Sequence, residues 1–162
     1  LRCDAALDWD EGPGHNFTIE GWAYFNTIGS TFEALVGINK ASNGNNHLLF
    51  GATSGDGFVI YWDAGPQTPI GVTLNTNKWY HWAVVYTGVR IEVYINGVHV
   101  HSVNDTTDTR LQNCTLLIGA EADAANAGTI GNYLDGYISN FRISAGIRYT
   151  PNFTPPTSEL LG

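Results

Sequence analysis

Hydrolysis of a glycosidic bond needs two facing carboxyl groups, about 5–5.5 Å apart for a retaining route and about 6.5–9.5 Å for an inverting one. The chain offers one acid-x-acid pair, Asp8-Trp9-Asp10, beside Glu11-Gly12-Pro13-Gly14, whose composition is that of a solvated turn. Glu20 and Glu92 sit in strand-like stretches with no acid two residues away. The order of Ser, His and Asp shows no nucleophile elbow, and no glycine loop has the spacing that cradles phosphate. The expectation is a non-catalytic protein, with a glycoside hydrolase as the weaker alternative.

Binding chemistry has more candidates. A sugar site needs an aromatic face for stacking and amides or carboxylates for the hydroxyls. Trp62, Tyr61 and Asp63, with Asn43, Asn45, Asn46 and His47 on a neighbouring loop, could supply both. The competing reading puts the aromatics in the core and makes the Asn-rich loop a polar connection whose side chains cap turns. His99 and His101 alternate along a strand but lack the further ligands of tetrahedral zinc, and His81 reads as structural. Calcium is the more plausible cation, with Asp56, Asp63, Asp123 and Asp135 as its candidate oxygen donors, at no diagnostic spacing. Cys3 and Cys114, the two cysteines, could close a long loop worth about 4–5 kcal/mol; two buried thiols are the alternative.

The elements that must hold these residues read as strands. Phe17–Phe25 alternates, with Phe17, Ile19, Gly21, Ala23 and Phe25 on one face and Thr18, Glu20, Trp22 and Tyr24 on the other. Large residues on both faces predict a strand covered on both sides for part of its length. Further strands are expected over Phe32–Ile38, His47–Ala52, Gly57–Asp63, Trp79–Tyr86, Leu111–Gly119 and Leu134–Ser144. Pro66 and Pro69 bar the stretch between them from the middle of a sheet. Asn96-Gly97 joins Val89–Ile95 to Val98–Val103 and predicts a two-residue type I′ hairpin. Its expected register sets Ile95 opposite Val98, Tyr94 opposite His99, Val93 opposite Val100 and Glu92 opposite His101. Ile91, Val93, Ile95, Val98 and Val100 would then be buried, and Arg90, Glu92, Tyr94, His99 and His101 would face outward.

At 162 residues the chain suits one well-buried core, taken as a single domain over 1–162. Its 15 acidic and 7 basic residues leave a net charge of −8, which repels nucleic-acid phosphates and anionic headgroups. No apolar run approaches the ~20 residues that a spanning helix requires. Many short strands between Gly/Pro-rich turns indicate an all-β sandwich or jelly roll.

Several stretches resemble a known family. Asp4-Ala5-Ala6-Leu7-Asp8-Trp9 with Asn16-Phe17-Thr18-Ile19-Glu20-Gly21-Trp22 is similar to the opening of concanavalin A-like, laminin G-like domains. Trp79-Tyr80-His81-Trp82-Ala83-Val84-Val85 resembles their central strand, and Val93-Tyr94-Ile95-Asn96-Gly97 their hairpin. Gly136–Ile143 and Arg148–Thr157 resemble the form found in bacteriophage tail and virion proteins. The resemblance implies a jelly-roll sandwich of two antiparallel sheets. It also implies an extracellular or virion module that binds glycans or a host surface, or an architectural decoration or fibre domain contacting other subunits or copies of itself. One departure stands out. The family's first strand, with its aromatic-Asp-Gly turn and calcium-associated acid, has no counterpart. Upstream residues or a neighbouring subunit are therefore expected to complete the sheet edge near Leu1–Leu7.

Overall fold

The computed structural model describes residues 2–3, 16–40, 46–62, 65–104, 114–122 and 129–157. In chain order the strands are β1 (Arg2–Cys3), β2 (Phe17–Phe25), β3 (Glu33–Lys40), β4 (Asn46–Thr53), β5 (Gly57–Trp62) and β6 (Thr68–Pro69). They continue with β7 (Trp79–Tyr86), β8 (Arg90–Ile95), β9 (Val98–Asn104), β10 (Cys114–Ile118), β11 (Glu121–Ala122), β12 (Ile130–Gly131) and β13 (Gly136–Ala145). Two antiparallel sheets result, one ordered β1-β10-β3-β4-β5-β6 and the other β13-β2-β7-β8-β9, with β11-β12 as a separate ribbon. This is the expected all-β sandwich.

Alternation decides which side chains fill the space between the sheets. Phe17, Ile19, Ala23 and Phe25 of β2 meet Leu48, Phe50 and Ala52 of β4 and Phe58, Ile60 and Trp62 of β5 in one core cluster, every one of them buried. Phe50 and Phe58 stack at 5.7 Å, and Trp82 lies 5.5 Å from Phe50. Each such burial contributes about 1.5–3 kcal/mol. Pro69 sits in β6, at the sheet edge, where its missing N–H costs no ladder bond. β1 is the opposite edge strand: Arg2 stands across from Leu117, and Cys3 from Leu116, two positions along β10 from Cys114. The rest of the expected open edge lies outside the described residues.

The hairpin forms with Asn96 at φ 51° and Gly97 at φ 77°, both positive as a type I′ turn demands. Ile91, Val93 and Ile95 are buried. The expected register holds for Ile95–Val98 and Tyr94–His99 and then shifts, so that Val93 pairs with His101 and Glu92 with Ser102. Val100 is the extra residue of a β-bulge, and it packs on the core together with Val103. Two further corrections follow. Val98, on an edge strand, is 50% exposed rather than buried, and Tyr94, expected outside, is buried.

A second bulge reshapes β13. Ser139 pairs with Trp22 and Arg142 with Glu20, leaving Asn140 and Phe141 together opposite Gly21. Asn140 takes φ 50°, a left-handed conformation that Asn tolerates better than most residues. The extra residue changes the parity of the strand. Ile138, Phe141 and Ile143 all pack on the core, and Arg142 emerges on the face of Glu20.

Candidate functional site

The face of the five-stranded sheet turned away from the core carries rows of side chains set by strand pairing. Glu20, Ala83 and Tyr94 form one row, Trp22 and His81 the next, and Tyr24 and Trp79 the last. β13 extends these rows with Arg142, Ser139 and Tyr137 respectively. Residues 147–157 cross this face as a strap. Tyr149 and Phe153 stack at 3.6 Å, and Phe153 lies 5.6 Å from both Tyr94 and His81. Hydrogen bonds tie the strap to the sheet. Phe153 N donates to Gly97 O (2.8 Å), His99 N to Asn152 Oδ1 (2.8 Å) and Trp22 Nε1 to Pro156 O (3.2 Å).

Under the strap, Glu20 is completely buried. Arg142 Nη2 donates to its Oε1 at 2.6 Å, Tyr149 Oη to its Oε2 at 2.6 Å, and His81 Nε2 lies 3.3 Å from Oε2. Arg148 Nε approaches Oε1 at 3.3 Å. Burial alone would raise the carboxyl pKa. The His81 ring beside it, hydrogen bonds from Tyr149 and Arg142, and the charge of Arg142 outweigh it and bring the value down to about 2. A carboxylate so saturated is a structural anion. It has no free lone pair facing solvent with which to act as nucleophile or base.

Glu92 is similarly occupied. Arg90 Nη2 is 3.0 Å from Oε1, while His99 Nε2 (2.6 Å) and the Ser102 hydroxyl both meet Oε2. Burial raises its pKa, but the bonds from Ser102 and His99 and the charge of Arg90 leave it below the ordinary value. Ser102 Oγ also lies 3.2 Å from His99 Nε2. Serine and glutamate thus approach the same ring nitrogen. In a nucleophilic triad the acid holds Nδ1, so that Nε2 remains free to take the serine proton; this arrangement cannot do that.

Tyr137 and Trp79, in the last of the rows, are open to solvent. Tyr137, Tyr24 and Trp79 stand in one register row across β13, β2 and β7. Ring centroids are 5.9 Å apart for Tyr24–Tyr137 and 5.4 Å for Tyr24–Trp79. Tyr137 is 60% exposed and Trp79 42%. Beside the row runs a groove of about 340 Å³ lined by Trp22, Trp79, Ser139, Asn140, Pro156 and Thr157. Tyr24 Oη donates to Asn77 Oδ1 at 3.2 Å, which fixes the middle ring. Rings edged by amides and hydroxyls are what sugar recognition requires.

The sugar-site residues expected from sequence are placed otherwise. Trp62 is in the core, 5.4 Å from Tyr86 and 6% exposed, so its ring offers no stacking face. Tyr61 points to the opposite side of β5, half-buried against Phe32, with its hydroxyl on Gln67. Asn46 and His47 begin β4, while Asn43, Asn45 and Asp63 lie outside the described residues. Of the calcium candidates, Asp63 and Asp123 also lie outside. Asp56 is held by Thr53 and Gln67, and Asp135 by Asn26 and Thr27. Among the described residues no group of three or more His, Cys, Asp or Glu could hold a metal ion. Asp8 and Asp10 are outside the described residues. The signal that would have found the aromatic row was the outward face of β2, where Trp22 and Tyr24 alternate with core residues.

Residues 5–148 match the concanavalin A-like lectin/glucanases superfamily. The chain belongs to it. The fold recurs in a heptameric SAP-like pentraxin from Limulus polyphemus, at TM-score 0.66 and 17% identity, over 88% of this chain and 67% of that one. Domain 4 of AbnA, an extracellular arabinanase from Geobacillus stearothermophilus, in complex with arabinotriose, is similar at TM-score 0.62 and 15% identity, over 87% of this chain and 66% of that one. The CBM40 of the IT-sialidase from Ruminococcus gnavus gives TM-score 0.63 and 9% identity over 90% of each chain. At these identities the likeness concerns the fold alone. The chain spans about two thirds of the pentraxin and arabinanase chains, and no curated protein matches its sequence. Among the described residues no helix is long and apolar enough to cross a membrane.

Proposed function

We propose that this chain is a non-catalytic glycan-binding module and that sugars stack on the row formed by Tyr137, Tyr24 and Trp79. One observation carries the reading: three aromatic rings in a single register row on an open sheet face, beside a groove edged by Ser139, Asn140 and Thr157. Trp and Tyr combine a large apolar face with a polar tip, and neither loses much conformational freedom when a ligand settles on it. Glu20 and Glu92, the two strand carboxylates weighed for catalysis, are both committed to internal partners, which supports a binding role over hydrolysis. The workplace on this reading is outside the cell or on a virion surface, where glycans are displayed.

The test is a glycan panel followed by titration calorimetry, with Trp79→Ala and Tyr137→Ala as variants. Binding of at least one glycan, weakened about tenfold or more in each variant with an unchanged melting temperature, is expected. An empty panel, or variants that bind as the parent does, would overturn the reading. The architectural alternative has its own signature in the same samples, a sedimentation coefficient that rises with concentration and reverts in the Trp79 variant.

A further inference from the structure

Resting on that glycan reading, we propose that the ligand is an uncharged, extended polysaccharide segment lying across strands β13, β2 and β7, not an acidic sugar terminus. The direction comes from register. Tyr137 pairs with Tyr24, and Tyr24 with Trp79, so the row runs perpendicular to the strands. Neighbouring strands are about 4.8 Å apart, and the ring centroids follow that spacing at 5.9 and 5.4 Å. A ligand touching both outer rings must reach over two strand intervals, further than one sugar ring extends, so linked residues are required.

The charge class comes from where the nearby ions point. Lys78 precedes Trp79, but alternation sends it to the other face, where its Nζ sits 5.3 Å above the ring of buried Tyr80. Arg142 and Arg148, the guanidinium groups nearest the row on β13 and the strap, are turned to Glu20 at 2.6 and 3.3 Å. Asp135, two residues before Tyr137, is exposed and held ionised by hydrogen bonds from Thr27 and Asn26. A carboxylated or sulfated chain would thus meet a fixed negative charge, with these three cations directed elsewhere. The chain's net charge of −8 adds to that repulsion. What the groove does offer, the side chains of Ser139, Asn140 and Thr157, matches neutral hydroxyls.

The experiment titrates the parent protein with soluble glucan, mannan, xylan and arabinan, with alginate and polygalacturonate, and with the mono- to hexasaccharides of any polymer that binds, at low and high salt. A neutral polymer should bind with an affinity that rises about tenfold or more from monosaccharide to trisaccharide and is indifferent to salt. Trp79→Ala and Tyr137→Ala should each lose about tenfold or more. Tyr133→Ala removes an exposed ring that lies next to the β11-β12 ribbon, off the row, and should lose nothing. Binding only to the acidic polymers, abolished by salt, would overturn the neutral class and leave the glycan reading standing. A monosaccharide bound as tightly as its oligomers would overturn the cross-strand chain. Failure of every glycan to bind would sink both this inference and the function it rests on.

Discussion

Glu20 and Arg142 face each other across β2 and β13, 2.6 Å apart, because one extra residue in β13 turns Arg142 toward the strap. Strict alternation after Ile138 would have sent Arg142 into the core and Phe141 out of it. The bulge lets both requirements be met on one strand.

Breaking this pair should be costly. Glu20→Gln keeps the shape but leaves the Arg142 guanidinium, 11% exposed, without its counter-charge. Removing one partner of a buried pair typically costs about 3–5 kcal/mol, and a loss of about 3 kcal/mol in urea unfolding is expected. A change within about 0.5 kcal/mol, the range of ordinary surface substitutions, would show that the cluster contributes little.

The same carboxyl sets an acid limit. Its folded-state pKa of about 2 lies below the ordinary 4.5, so its stabilisation is complete above about pH 4.5 and fades as the pH falls toward 2. The shift corresponds to about 3 kcal/mol. Thermal melts between pH 6 and 2 should show the parent losing stability through this window. The Glu20→Gln variant, already weaker at pH 6, should lose correspondingly less.

The left-handed backbone at Asn140 should make this position sensitive to the side chain it carries. Asn140→Gly suits φ 50° and should alter stability by no more than about 0.5 kcal/mol. Asn140→Val puts a β-branched side chain at the same φ and should cost about 1–3 kcal/mol. Chemical denaturation of the two variants side by side checks the ordering.

Gly97→Ala tests the seat of the strap. A Cβ there would collide with the carbonyl oxygen of Phe153, and φ 77° is unfavourable for alanine. A cost of about 1–3 kcal/mol is expected, with increased quenching of Trp22 fluorescence as Pro156 withdraws. Unchanged stability and quenching would mean that the strap is not held at the hairpin tip.

Stacking on the aromatic row involves no metal ligand, so EDTA should leave glycan affinity unchanged and added calcium should not raise it. A loss of about tenfold in EDTA would move the site to the aspartate-bearing turns.

How far the sequence reached can be judged from particular residues. Local chemistry determined the strands and the hairpin turn: the alternation of Phe17–Phe25 and the positive-φ demand of Asn96-Gly97 act within a few residues of chain. It also held the traces of both bulges, since the apolar spacing steps from two to three between Val100 and Val103 and between Ile138 and Phe141. A regular period-2 reading passes over that step, and so it mispaired Glu92 with His101. Tertiary structure alone decided which side of each strand meets what. Trp62 and Trp79 are the same residue type on strands of similar pattern, yet one fills the core and the other opens to solvent. Glu20 looks from sequence like an outward residue on a polar face; the strap, arriving from about 130 positions later in the chain, covers it with Tyr149 and Arg148, while β13 and β7 supply Arg142 and His81. The candidate site was hidden for the same reason. Its three rings lie far apart in sequence and become one row only when β13, β2 and β7 pair, because strand order and register are set by packing two sheets together rather than by any local run of residues.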